Sequence, residues 1–358
     1  MLSGPAKIGR RRTTALLGAA VLGATSRTAR AADEVAFASY GGSIEQFLRK
    51  SIIPDFEKET GIRVTYVVGT ALSLYSRVLA TRNRPEIDVY WANDLTHTAG
   101  HQLGLYDRID PAIVKNTGQL IAGAFPADGI GAQSQISSTS LEYNAEKFRQ
   151  AGWAPPTSWF DLWDPKYKGK IAAYTINILY SQELLGVMTR LLGGTEADIG
   201  PALKKIKELR ENGNIAVFAN TPAEMDNIMA QGQAWLTYNG SIRTLLMKAS
   251  GAPMELVNPK EGAVGFSLYL DLVKNAPHKA ASLTFIDFML RPDIQSRCAE
   301  GLFYAPTHKE SVVRPELAAM IPHGPAAHAA LIKLDRVVMN RDLDNWIEQW
   351  NKVIEAKP

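Results

Sequence analysis

One local rhythm constrains this chain more than anything else: a short apolar strand, a small or polar turn, then an amphipathic helix, repeated. Val35 to Tyr40 reads as a strand, and Gly41-Gly42 as a tight turn that lets a guest molecule approach the backbone. Ser43 reads as the N-cap of a helix with Ile44, Phe47, Leu48 and Ile52 on one face. Val64 to Val68 repeats the pattern, with Gly69-Thr70-Ala71 opening a helix that runs to about Ala80. Ile87 to Trp91 is a third strand, and Asn93-Asp94 caps the next helix. Such alternation implies a mostly parallel sheet covered by helices on both faces. Ligands bind off the carboxyl ends of strands in sheets of this kind, so the three strand-end loops should share one edge. Together they form a polar cup lined by backbone N–H groups, with Tyr40 as one wall.

A second series follows. Strands are predicted near 171–173, 216–218, 233–238 and 265–272, and helices near 182–192, 199–212, 221–231, 242–249 and 279–290. The 358 residues allow two domains. The opening differs from the rest: Lys7 and Arg10-Arg11-Arg12 precede a short apolar run, Ala15 to Thr25, and Ala29-Arg30-Ala31 has a small-x-small cleavage pattern. Residues 1–31 are therefore expected to be a secretory signal peptide, too short in its apolar part to span a bilayer. The consecutive arginines put the twin-arginine route beside the ordinary Sec route, and the mature chain in the periplasm. Residues 1–32 carry six basic and no acidic residues, which leaves 33 basic against 36 acidic, a net charge of −3. That balance offers no basic stripe for nucleic acid. Cys298 is the only cysteine, so no internal disulfide is available, and its helical setting suggests a packed thiol rather than a nucleophile.

Five stretches together resemble the extracellular solute-binding proteins of ABC importers, closest in order and spacing to the spermidine/putrescine-binding branch. They are Phe56-Glu-Lys-Glu-Thr-Gly-Ile-Arg-Val64, Thr157-Ser-Trp-Phe-Asp-Leu-Trp-Asp-Pro-Lys-Tyr-Lys-Gly169, Asn239-Gly-Ser241, Pro259-Lys-Glu-Gly262 and Phe288-Met-Leu-Arg-Pro-Asp293. The resemblance implies an α/β, two-lobed periplasmic-binding-protein fold of type II, each lobe a mostly parallel sheet flanked by helices, with two hinge crossings. Residues 32–139 and 267–358 would form the first lobe and 140–266 the second. The crossings are expected near Ser138 to Asn144 and Phe266 to Asp271, with the tail finishing the first lobe. It further implies a monomer that closes over a small molecule and is recognised by a membrane permease, with no cofactor and no catalysis.

Carried over position by position, the resemblance puts Tyr40, Gly41 and Gly42 in the first contact loop. Thr70 and Ala71 follow at the end of the second strand, and Asn93 and Asp94 at the end of the third. Thr139 and Ser140 fall at the first crossing, and Phe266 and Ser267 at the return. Tyr238 precedes the Asn-Gly-Ser turn, and Tyr304 is a further aromatic; Phe266 and Tyr304 could equally serve only packing. The polyamine branch holds ammonium groups with carboxylates and boxes the methylene chain with tryptophans. Here the return strand, Gly265-Phe-Ser-Leu-Tyr-Leu, has no Trp and no acid until Asp271, and Lys170-Ile-Ala-Ala-Tyr-Thr-Ile-Asn177 lacks the acids of the relatives. Hydroxyls, glycine amides and helix N-termini at Ser43, Ala71 and Ser241 favour an anionic or zwitterionic guest instead, such as a carboxylate, an amino-acid-like compound or an organophosphonate. Arg243 would pair with that anion or lie as a solvated helix residue.

Three alternatives bound this expectation. Polyamine binding requires carboxylates on the crevice floor. An exported enzyme on the same scaffold requires a nucleophile with His and Asp partners. A metal site could use His97 and His101, four apart on a helix, but no Glu stands between them and a solvated helix face is the favoured reading. A ferric site is disfavoured, because Tyr238 is not followed by a second tyrosine.

Overall fold

A computed structural model describes residues 34–355. The expected signal peptide lies outside the described residues. Strands β1 (Glu34–Tyr40), β2 (Arg63–Gly69) and β3 (Val89–Asn93) pair in parallel in the order β2-β1-β3, with Val35 opposite Val64 and Phe37 opposite Val89. Their β-branched and aromatic residues suit a pleated surface buried beneath helices. Strands β5 (Ile171–Tyr174), β6 (Ile215–Ala219) and β7 (Leu236–Gly240) form a second parallel set, while β8 (Met254–Val257) lies outside it.

Two long strands join the sets, and both run antiparallel to their neighbours. Strand β4 (Ala132–Asn144) pairs with β9 (Val264–Leu272) along its first part, then with β7 and β8. Strand β9 continues alongside β3, and the short β10 (Ala305–Pro306) pairs with β4. Thr139 is the switch position, opposite both Val264 and Gly240.

Two hydrophobic cores sit on either side. Phe37, Phe56, Trp91, Ile136, Leu268 and Phe285 belong to the first. Leu141, Trp159, Tyr174, Met188, Leu236 and Val264 belong to the second. Strand β4 thus changes core between Ile136 and Leu141, and β9 between Val264 and Leu268. Both changes happen where antiparallel strands pass each other, which is a suitable place for a hinge.

The structure departs from the sequence reading in four places. The tail does not all finish the first half: Leu334, Met339, Trp346, Trp350 and Ile354 pack in the second core. Met339, Trp346 and Trp350 lie on one face of the Arg336–Trp350 helix, and periodicity gives a face but not the core that receives it. Conversely Ile242 and Leu245, expected in the second half, join the first core, so the Ser241–Ala249 helix packs across the junction. Gly42, at φ 70°, is the N-cap of the first helix, with Ser43 already inside it; a left-handed cap suits glycine. That helix ends at Ser51, and a second, with Pro54 in its first turn, runs from Ile53 to Thr60.

Candidate functional site

The carboxyl ends of β1 and β3, the switch point on β4 and β9, and the starts of two second-half helices supply the candidate site. Tyr40 ends β1. Its carbonyl accepts a hydrogen bond from the Tyr66 hydroxyl at 2.7 Å, and its own hydroxyl is buried without a partner among the described residues. Burial, with the phenols of Tyr90, Tyr304 and Tyr180 and the Asp94 carboxylate nearby, raises its pKa well above the usual phenol range. Tyr180 is the second residue of the Leu179–Leu191 helix. A Cβ on Gly240 would lie 2.5 Å from its hydroxyl, so only glycine lets that ring approach the turn after β7. Tyr304 is 2% exposed and packs 5.9 Å, ring to ring, from Trp91.

The third strand ends in Asn93, whose side chain caps the Asp94–Gln102 helix by accepting from the Thr96 amide at 2.9 Å. Asp94 is the first residue of that helix. Its Oδ2 accepts from Arg336 Nε at 2.9 Å, while its Oδ1 is buried with no partner among the described residues. Arg336 Nη2 also donates to Glu183 Oε1 at 2.5 Å and to the Gly265 carbonyl at 3.2 Å. Thr139 donates its hydroxyl to Glu183 Oε2. This chain of contacts joins the first half, the switch point, the second half and the tail. Arg336 is 7% exposed and Glu183 fully buried.

One guanidinium between two carboxylates leaves one negative charge uncompensated in a dry place. Burial, reinforced by Asp94 and opposed by Arg336, pushes Glu183 up to about 7. Burial also raises Asp94 against the pull of Arg336. The arginine remains charged, held far above its usual range by its two partners against the opposing effect of burial. A cavity of about 250 Å³ adjoins this cluster, lined by Asp94, Gln133, Phe266, Ser267, Tyr269 and Arg336 among others.

The remaining expected residues fall as follows. Gly41 packs closely, since a Cβ there would meet Val68 Cγ1 at 2.9 Å. Thr70 is exposed and its side chain is engaged in a capping box with Ser73, while the Ala71 carbonyl accepts from Tyr90. Ser140 donates to Asn258 at 2.8 Å. Phe266 is 6% exposed, and Ser267 accepts from Gln133 at 2.5 Å. Tyr238 is fully buried, and its hydroxyl accepts from the Tyr174 amide at 3.0 Å beside Ser181. Those bonds hold it inside the second core. Arg243 is 29% exposed and uses Nε and Nη2 against Asp226. Its charge lowers the Tyr180 and Tyr304 phenols against the larger upward effect of burial. Ser241 begins that helix and hydrogen-bonds Ser137 at 3.1 Å.

His97 is not a solvated residue. It meets Asp271 at 2.8 Å and stacks on Tyr269 at 3.9 Å. His101 is the exposed one, paired with Asp128. Among the described residues no group of three or more His, Cys, Asp or Glu could hold a metal ion, and no helix is long and apolar enough to cross a membrane.

Sequence reasoning missed Tyr180, Glu183 and Arg336. Tyr180 and Glu183 are three apart on one helix, a signal that could have paired them. Nothing local pointed Arg336 at the crevice.

An α/β fold with two cores joined by two antiparallel crossings, and a polar crevice at their junction, is the architecture of a ligand-binding protein. Residues 51–325 match the profile described as bacterial extracellular solute-binding protein, and the chain belongs to that family. It is 26% identical over 319 residues to the spermidine/putrescine-binding periplasmic protein of Salmonella typhimurium, covering 85% of this chain and 87% of that one. It is 25% identical over 287 residues to the gamma-aminobutyric acid-binding protein of Pseudomonas aeruginosa, covering 76% of each. Among solved structures it resembles the spermidine/putrescine ABC transporter substrate-binding protein PotD from Streptococcus pneumoniae. The TM-score is 0.72 at 17% identity, covering 89% of this chain and 99% of that one, so this likeness concerns the fold. The protein is an ABC transporter solute-binding protein, with a small-molecule ligand and a permease as its partners.

Proposed function

We propose that this protein binds a small zwitterion carrying one ammonium and one acidic group, such as an ω-amino acid or an aminophosphonate. In this reading it is exported to the periplasm, acts there as a monomer, and delivers its cargo to the permease without changing it. The observation that carries the reading is the sharing of Arg336 by Asp94 and Glu183. With both carboxylates ionised the cluster has a net charge of −1, and Asp94 Oδ1 is the oxygen left without a partner. One ammonium group complements that oxygen. The acidic end then meets Arg243, the Ser241 helix start and the phenols of Tyr40 and Tyr180.

Polyamine binding is the second reading. It is favoured by the two carboxylates at the crevice and by the Salmonella relative. The charge count opposes it, because a diamine brings two cations to a cluster with one uncompensated charge.

A thermal-shift and calorimetric panel separates the two, using gamma-aminobutyrate, 2-aminoethylphosphonate, putrescine and spermidine. Ligand at a hundredfold excess over Kd stabilises the native chain by about 2.7 kcal/mol. Stabilisation by an ω-amino acid or the aminophosphonate, and not by the polyamines, is the expected outcome. Stabilisation by putrescine or spermidine alone refutes the zwitterion reading.

A further inference from the structure

We infer that Arg336 determines specificity: its guanidinium fills the cation position between Asp94 and Glu183, and so keeps diamines out of the crevice. The inference rests on the zwitterion reading above. Arg336 does not reach this place by chance of a flexible side chain. Leu334 is anchored in the second core, and Ile332 is bridged to Val264 beside β9. The Asp335 amide donates to Glu196 at 3.1 Å, and the Asp335 carboxylate caps the Arg336–Trp350 helix through the Val337 and Val338 amides. Asn340, one turn on, donates to the Leu95 carbonyl at 2.9 Å.

The two carboxylates belong to different halves, Asp94 to the start of a first-half helix and Glu183 to the middle of a second-half helix. A cation between them is therefore attracted from both sides, and here the protein supplies that cation itself. Removing the guanidinium would leave two buried carboxylates, of which Asp94 lines the cavity that Arg336 itself also lines. That is the recognition chemistry of an alkyl ammonium ion, with the cavity to take part of its methylene chain.

The test uses the mature chain and putrescine as the probe. Arg336→Gln should gain about tenfold or more in putrescine affinity over wild type by calorimetry. The gain should vanish in Arg336→Gln/Glu183→Gln, and should fade as pH falls and Glu183 takes up a proton. Arg336→Lys keeps a cation in place and should still exclude putrescine. If Arg336→Gln is unfolded alone, putrescine should restore its cooperative unfolding transition, since binding to the native state favours folding. An Arg336→Gln chain that shows no gain in putrescine affinity and no such rescue overturns the inference. The two readings fail separately. Tight putrescine binding by wild type sinks the zwitterion reading itself. Binding of gamma-aminobutyrate by wild type, with no response of Arg336→Gln to putrescine, sinks only the role given to Arg336.

Discussion

Arg336 and Arg243 both pair with carboxylates at the crevice, yet the structure holds them very differently. Arg336 is 7% exposed, is shared by two carboxylates and a carbonyl, and comes from a tail segment fixed on both sides. Arg243 is 29% exposed, faces the single carboxylate of Asp226, and sits in the first turn of a helix that packs across the junction. The first arginine is part of the framework, and its charge is neutralised before any guest arrives. The second is less buried, has a single carboxylate partner, and is the arginine proposed to meet a guest. Two cations of one type are thus held in different ways, and burial is the difference between them.

The largest expected effect comes from breaking the framework arginine. Arg336→Ala leaves Glu183 and Asp94 buried without their cation and should cost about 3–5 kcal/mol of stability in urea unfolding. Arg243→Ala removes a partly exposed pair and should cost about 1 kcal/mol or less. Equal losses would erase the distinction. The next effect reverses the ranking. Arg243→Ala should weaken binding of the proposed ω-amino ligand by about 10- to 100-fold in calorimetry, while the melting temperature changes little. An unchanged affinity would return Arg243 to the role of a solvated helix residue.

Glu142 sharpens the comparison, because it is a fully buried carboxylate with no arginine of its own. It accepts from Asn239 at 3.1 Å and from Thr244 at 2.6 Å, and burial pushes it up to about 7. A folded-state pKa above the unfolded value means the contribution is complete at low pH and is lost as pH rises through about 7. Glu142→Gln should therefore become the more stable chain as pH rises from about 5 to 8, by up to about 2–3 kcal/mol in paired melts. A parallel shift at every pH would deny the buried charge.

His97 gives the smallest effect. Burial alone would lower its pKa, but the Asp271 contact outweighs burial and the net shift is upward. The advantage of wild type over His97→Gln should be complete below about pH 6.5 and fade as pH rises beyond it. Titration of the ring by NMR checks the direction.

Much of the fold was legible along the chain. Strand, turn and helix are local, and Asn93, Thr70 and Thr221 announce their caps within three residues. The Gly41-Gly42 turn and the crossing strands could be read for the same reason. The tail could not. The Met339, Trp346 and Trp350 stripe shows that a helix must bury one face, but either core could have received it. Among the candidate site residues, Tyr40, Asp94 and Arg243 could be nominated from their places at strand and helix ends. Glu183 could not be recognised, because a glutamate in a helix reads as solvated until its neighbours are known. Tyr238 looked like a crevice wall from its place before the Asn-Gly-Ser turn, yet its hydroxyl is tied to the Tyr174 backbone.

By itself, then, the sequence determined the alternation of elements, the turn chemistry and the edge at which a guest would be met, since each depends on residues a few positions apart. Tertiary structure alone decided the charge state of the crevice. Asp94 and Arg336 are 242 residues apart, and Glu183 and Arg336 are 153 apart. Whether a carboxylate is free to hold an ammonium depends on burial and on what lies against it, and both are properties of the packed chain.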